Sequence, residues 1–233
     1  MNEDFMAQFL KKQSFLDFQK FIESVYSLPD DRLFSLWDLL SHQERFTMRA
    51  LKGIRKNNKK KLELNLLIAF SWLMSVANRL HIIVEDAVWR RFPMQCSYCA
   101  GLPCACKKIK PKKRAKIIRK NSLRPQTLAQ FQEMFSKIYP PNSRTLSDAG
   151  VHLAEEMGEL SEAVLCFLGE HKHKQFVDLQ NELADFVSCI FGVANSANID
   201  MAQELSKIFY KNCHVCHKAP CECSFSFIAK FSS

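Results

Sequence analysis

The 233-residue sequence predicts an all-α protein: two four-helix modules in tandem, each followed by a small cysteine-rich loop. Three observations lead there. Apolar residues recur at spacings of three and four over long segments, as on the buried stripe of a helix. The period-two alternation of a half-buried strand is almost absent. One cysteine pattern occurs twice: "CSYCAGLPCAC" at 96–106 and "CHVCHKAPCEC" at 213–223 both read C-x2-C-x4-C-x-C, with a proline just before the third cysteine.

In the first half, residues 15–26, 32–54 and 62–78 read as helices, 85–92 as a shorter fourth, and "RKNNKKK" as a loop. In the second half, a short amphipathic helix covers 127–138 and closes at Tyr139-Pro140-Pro141, because proline disfavours helix at the residue before it. Thr145 or Ser147 can cap the next helix, which carries Leu153, Met157, Leu160, Val164 and Phe167 and stops at Gly169. "HKHKQ" is a loop, and a third helix over 176–196 carries Leu179, Leu183, Phe186, Ile190 and Val193. "NID" then turns into a fourth helix over 201–210.

The two halves share more than the cysteines. Val76-Ala77-Asn78 and Val193-Ala194-Asn195 keep the clusters' offset of 117 residues. Farther upstream the offset becomes 113, which lays "FQKFIESVY" over "FQEMFSKIY". A tandem duplication follows, with modules at 1–106 and 126–233 joined by a basic linker at 107–125.

The net charge of +9 is concentrated: removing the ten Lys and Arg of residues 107–124 leaves −1. Such a run is a solvated linker or a contact for phosphate, from a nucleotide, a nucleic acid or an acidic partner. No aromatic interleaves it, which argues against a single-strand stacking platform. No apolar run reaches the roughly 18 residues of a membrane span. The opening "MNEDFMAQFL" is acidic and lacks the apolar core of a leader, so a cytoplasmic setting is expected, with no membrane partner. There, clustered cysteines hold metal more readily than they form disulfides. Cys96, Cys99, Cys104 and Cys106, and again Cys213, Cys216, Cys221 and Cys223, supply four thiolates each, the set for a closed structural Zn²⁺ site. Whether each cluster holds its own ion or the halves share ligands is open at this level. His214 and His217 have no counterpart in the first cluster, which argues against their ligation. Cys166 and Cys189 fall on apolar stripes and read as small core residues.

The second half also carries "HLAEEMGELSEA" and "NELADFV". Glu156 and Glu159 stand at i and i+3 on one helix face, and Glu182 and Asp185 repeat the relation on the next helix. If these helices pack antiparallel, four carboxylates converge beside the apolar stripes. Carboxylates crowded near a core repel and lose hydration unless a cation neutralises them. Oxygen-only ligands favour Mg²⁺ or Mn²⁺, and carboxylate-held Mg²⁺ is typically shared with substrate phosphates. The plain alternative is a solvated acidic face.

"EEMGE" followed by "ELAD" resembles the E-E-x-x-E…E-x-x-D signature of the MazG-like all-α nucleoside triphosphate pyrophosphohydrolases, and the likeness extends from about residue 128 to 212. The resemblance implies four-helix modules that pair into dimers or larger homo-oligomers. It also implies Mg²⁺-dependent hydrolysis of a (d)NTP to NMP and pyrophosphate. Carried over by position, Glu156, Glu159, Glu182 and Asp185 hold Mg²⁺ (or Mn²⁺), and Glu155 orients or deprotonates the attacking water. Lys207, Lys211 and Asn212 contact substrate phosphate and sugar.

At the 117 offset the first half has Leu39, His42, Asn65 and Ile68 in place of the four ligands, with Asp38 opposite Glu155 and Glu63 two residues from a ligand position. It therefore reads as an inactive structural partner without Mg²⁺, either replacing a second subunit or leaving room for one. Phe70, Trp72 and Trp37 are candidate stackers for a base, though each fits a core position better. The alternative reading is a zinc-containing nucleic-acid-binding or regulatory protein with a non-catalytic fold of this type.

Overall fold

The computed structural model describes residues 6–109 and 111–231. Residues 1–5 of the acidic opening, Lys110 of the basic run and the last two serines lie outside the described residues. Among the described residues the chain forms nine α-helices and no strand. They are α1 (Phe15–Leu33), α2 (Leu36–Arg55), α3 (Lys59–Arg79), α4 (Val84–Arg91), α5 (Leu128–Ile138), α6 (Leu146–Glu170), α7 (His173–Ser196), α8 (Met201–Ile208) and α9 (Phe225–Lys230). Among these residues no single helix is long and apolar enough to cross a membrane.

Four helices start at reciprocal capping boxes, Ser14 with Asp17, Ser35 with Asp38, Thr127 with Gln130 and Thr145 with Asp148. Each satisfies orphan N–H groups of the first turn. Helix α1 runs on to Leu33, past the expected end near residue 26, with Pro29 inside it. A proline there has no N–H for the carbonyl four residues back. That carbonyl, Val25 O, instead accepts from Cys221 N at 2.7 Å. The tail "SFSFIAKF" is a short helix, α9, capped by Ser224.

The compact units differ from the sequence modules. Unit 1 is Met1–Ile82 with Asp200–Ser233, and unit 2 is Ile83–Ile199. Unit 1 thus groups α1, α2 and α3 with α8, and unit 2 groups α5, α6 and α7 with α4. Each first-to-third helix set takes its fourth helix and cysteine loop from the other half of the chain. The basic segment belongs to unit 2 and does not link the modules expected at 1–106 and 126–233. Local pattern marks α4 and α8 as helices, but their host is decided by packing, α4 on α7 and α8 on α3.

The units repeat the same contacts. In unit 1, Gln19 Nε2 donates to Asn78 Oδ1 and Ile82 O, both at 2.8 Å, and Asn78 Nδ2 returns a bond to Gln19 O. In unit 2, Gln132 Nε2 donates to Asn195 Oδ1 at 2.9 Å and Ile199 O at 2.7 Å, and Asn195 Nδ2 returns to Gln132 O. Each set ties the first helix to the end of the third, where a wandering turn would leave buried polar groups unpaired. The cores are aromatic. Phe18 stacks on Phe70 with ring centroids 5.5 Å apart in unit 1, and Phe135 lies between Phe92 and Phe191 in unit 2. Phe70 is fully buried and so is a core residue, not a base stacker. Cys189 is buried as expected, but Cys166 is exposed, on the solvent side of α6 with Leu165.

This grouping predicts which fragments fold. Residues 83–199 alone should give a cooperative melt with one bound zinc. Residues 126–233, the module marked by sequence, should not, because they lack α4 and the loop that packs with α5. Calorimetry on the two fragments decides; cooperative folding of 126–233 alone would refute the exchanged grouping.

Candidate metal centres

Both cysteine clusters close on themselves. Cys96 Sγ and Cys106 Sγ are 3.8 Å apart, and Cys99 Sγ and Cys104 Sγ 3.9 Å. In the second cluster, Cys213 to Cys223 is 3.9 Å, Cys216 to Cys221 3.8 Å and Cys213 to Cys221 3.5 Å. Four sulfurs around a Zn²⁺ at about 2.3 Å stand about 3.8 Å from each other along the tetrahedral edges, so both donor sets fit zinc. Within each set all ligand atoms lie within 4.8 Å of one another, so each cluster is complete by itself and no ligand is shared. Neither histidine belongs to a set; His214 Nδ1 instead lies 3.2 Å from the Tyr26 hydroxyl.

The loops share their backbone path. Leu102–Pro103 and Ala219–Pro220 are cis, and Ala100 and His217 both take left-handed φ, at 54° and 55°. Tyr98 N and Val215 N each donate to the first sulfur of their cluster at 3.4 Å. Each loop sits on the C-terminal part of a helix from the other half of the chain: Cys104 N donates to Ile138 O at 2.8 Å, as Cys221 N does to Val25 O. A tyrosine completes each seat. The Tyr139 hydroxyl donates to Cys96 Sγ at 3.5 Å, and the Tyr26 hydroxyl accepts from His214 N at 3.4 Å, where the charge of Cys213 acts on it. Burial, then the charge of these sulfurs, pushes both phenols up.

The third centre lies in unit 2, between α6 and α7. Glu156 from α6 meets Glu182 and Asp185 from α7, and their ligand oxygens lie within 4.8 Å of one another. Of the four expected ligands, these three converge. Glu159 stays outside the set and exposed, although its charge reaches Glu156. Glu155 is exposed, 3.9 Å from His152 Nε2. Glu156 Oε2 is buried and accepts no hydrogen bond among the described residues. Burial first, then the charges of Asp185, Glu159 and Glu182, push its carboxyl up to about 8. Glu182 is raised for the same kind of reason, burial and then Asp185. Three acids with an orphaned buried carboxylate oxygen among them are a donor set that could take a cation preferring oxygen ligands.

One participant has no local sequence signal. Arg91, at the end of α4, donates Nε to Asp185 Oδ1 at 3.0 Å and Nη2 to Asp185 Oδ2. The pair is 14% and 15% exposed, and the guanidinium charge also acts on Glu182 and Glu156. Arg91 enters because α4 packs in unit 2, which the sequence modules conceal. A second cation, Arg144, lies against α7 where Gly192 has no side chain; a Cβ there would meet Arg144 Nη2 at 2.0 Å.

Lys207, Lys211 and Asn212, expected at substrate, belong to unit 1. Asn212 is buried there as a backbone clamp, accepting from Ala7 N at 2.7 Å and donating to His217 O at 3.0 Å. Lys207 pairs with Glu204 at 2.7 Å.

Unit 1 also has a different register from the one read in sequence. The capping boxes set Ser35 against Thr145 and Asp38 against Asp148, an offset of 110. Asp38 is therefore a cap, not the equivalent of Glu155. Glu155, Glu156 and Glu159 then correspond to Arg45, Phe46 and Arg49, while Glu182 and Asp185 still correspond to Asn65 and Ile68. Phe46 packs with Ile68 where unit 2 has Glu156 beside Asp185. Arg45 donates to Ala229 O at 2.8 Å and Ile228 O at 3.1 Å, and Arg49 to Phe231 O at 2.6 Å. Trp72, stacked on His42 at 4.5 Å, lines a cavity of about 70 Å³ beneath this tail, and Trp37 is exposed.

The basic segment is laid along unit 2. Ala115 N donates to Tyr98 O at 2.8 Å, and Gln95 Nε2 to Ile118 O at 2.9 Å. The Arg114 guanidinium stands 5.4 Å from the Tyr98 ring centroid. Arg124 pairs with Glu85 at 2.8 Å and Asp86 at 2.5 Å. The charge of Arg114 reaches Glu182.

No protein-family model, curated protein or solved structure matches the chain.

Elemental analysis should find two zinc ions per chain, and Cys104→Ser should leave one. Tyr139→Phe, which keeps every thiol, should weaken retention of the first zinc against a chelator by about tenfold, as loss of a ligand's hydrogen-bond partner does. One ion in the unaltered protein would break the picture of separate sites. Glu156 gives a pH test. Its folded value of about 8 lies above its ordinary 4.5, so its stabilising contribution is fully present below 4.5 and is lost as pH rises through 8. In zinc-loaded protein without Mg²⁺ or Mn²⁺, Glu156→Gln should raise Tm, with a gain larger at pH 8.5 than at pH 6. A gain independent of pH would count against burial of this carboxyl.

Proposed function

We propose that the chain is a Mg²⁺-dependent nucleoside triphosphate pyrophosphohydrolase that converts a (d)NTP to NMP and pyrophosphate in unit 2. The observation that carries the reading is the meeting of Glu156, Glu182 and Asp185 within 4.8 Å, with a buried Glu156 oxygen lacking any donor. Arg91 offsets one negative charge of the three half-buried acids, which leaves room for a further cation. The "EEMGE…ELAD" likeness to MazG-like pyrophosphohydrolases supports the same chemistry. When bound, Mg²⁺ supplies positive charge at the substrate's phosphate oxygens.

In this reading Glu156, Glu182 and Asp185 hold the cation. Glu159, one turn from Glu156 and open to solvent, and Glu155 beside it are the acids left to orient the attacking water and take its proton. Unit 1 is non-catalytic: its corresponding positions are Phe46, Asn65 and Ile68. The first half of the chain contributes to catalysis through α4 and the first zinc loop, which brace α5 and α7.

A second reading has its own observation. The basic segment is fixed on unit 2, and Lys108, Lys112, Lys113, Lys116 and Arg119 are exposed along it. That charge suits a nucleic-acid backbone, as a binding or regulatory module would use it.

Incubation with a panel of common and modified nucleoside triphosphates, with Mg²⁺ and with Mn²⁺, tests both. Pyrophosphate and NMP should appear together. Asp185→Ala or Glu182→Ala should reduce the rate on the order of a thousandfold, several kcal/mol of lost transition-state stabilisation. No release from any nucleotide, together with salt-sensitive binding of DNA or RNA, would establish the binding module instead.

A further inference from the structure

The acids of unit 2 already have a cation, and it comes from the other half of the chain. Arg91 engages both oxygens of Asp185, one of the three carboxylates assigned above to the divalent ion. The pair is almost closed to water and engages both carboxylate oxygens, so it is less screened than a surface ion pair and competes with anything else that binds Asp185. A divalent ion among Glu156, Glu182 and Asp185 makes the guanidinium superfluous there: two positive charges next to a third, with little water between them, repel. The guanidinium can leave without finding itself alone. It stands at the end of α4, a helix of 8 residues, beside the acids to which the pyrophosphohydrolase reading brings a chain of phosphates. Its planar fork fits two phosphate oxygens as well as it fits a carboxylate, which a lysine ammonium would not.

We infer that Arg91 is an exchangeable counter-ion: it pairs with Asp185 until a divalent cation takes that carboxylate, and then turns to a phosphate of the substrate. The proposal rests on the pyrophosphohydrolase reading for its second half only; the exchange at Asp185 needs no substrate. It makes the cation and the substrate cooperative, because each removes the other's cost. The ion frees the guanidinium, and the phosphate gives the freed guanidinium a partner. It also gives the first half of the chain a catalytic residue, although that half has none of the acids.

The test uses full-length, zinc-loaded protein and Mn²⁺ as the probe, with binding read by electron paramagnetic resonance and nucleotide turnover measured separately. Arg91→Met removes the competing charge, so Mn²⁺ should bind about tenfold tighter while KM for the nucleotide rises about tenfold or more. Arg91→Lys keeps the charge without the fork; its Mn²⁺ affinity should stay near that of the unaltered protein while KM still rises. Zinc content and Tm establish that each variant is folded, and Arg91→Lys carries the KM test if Arg91→Met is not. A merely structural arginine would weaken Mn²⁺ binding on removal, or leave it unchanged, and either result in a folded variant overturns the exchange. Tighter Mn²⁺ binding in Arg91→Met without hydrolysis of any nucleotide would uphold the exchange at Asp185 and remove the pyrophosphohydrolase reading. Unchanged Mn²⁺ affinity with hydrolysis intact would do the reverse.

Discussion

The structure depends on where each cysteine loop is seated. The loop that follows α4 hangs from the end of α5, and the loop that follows α8 hangs from α1. In both cases a carbonyl without a helical partner receives the third cysteine's N–H, at Ile138 and at Val25. Proline chemistry leaves those carbonyls open. Pro29 removes the donor inside α1, and Tyr139-Pro140 ends α5 just past Ile138. A tyrosine hydroxyl then meets the start of each cluster, Tyr139 at Cys96 Sγ and Tyr26 at His214 N. Neither half of the chain closes its own four-helix set, so duplicated sequence does not translate into two independent modules. A closed tetrathiolate site suits this task, because it rigidifies a loop too short to have a core of its own.

The asymmetry between the units follows from what their second and third helices place face to face. In unit 2 that meeting is Glu156 with Asp185, acid against acid in partial burial, tolerable only with a positive charge between or beside them. Arg91 supplies one such charge. In unit 1 the corresponding meeting is Phe46 with Ile68, an ordinary apolar contact with no need of an ion. Arginine replaces acid at 45 and 49, and both side chains are used on the carbonyls of the tail after α8. One helix geometry thus serves as a charged site in one unit and as a closed, tail-covered face in the other.

The sequence by itself determined most of the local structure. Apolar spacing located α2 to α8 to within a few residues, and Thr145 was readable as a candidate cap because capping is a property of neighbouring atoms. The cysteine spacing determined both zinc-type sites, since all four donors lie within 11 residues and no distant ligand is needed. The i, i+3 relation put Glu182 with Asp185 on one face of α7 for the same reason. What only the tertiary structure decided is which fourth helix serves which bundle. Helices α4 and α8 have equivalent apolar faces and equivalent loops, so local pattern suits either host, and the choice lies in contacts between segments far apart in the chain. That single choice brought in Arg91, made Lys207, Lys211 and Asn212 part of unit 1, and made a supposed linker part of unit 2. It also left Glu159 outside the acid cluster, because facing along a helix guarantees a shared side, whereas convergence on one ion is set by the angle and depth at which two helices meet.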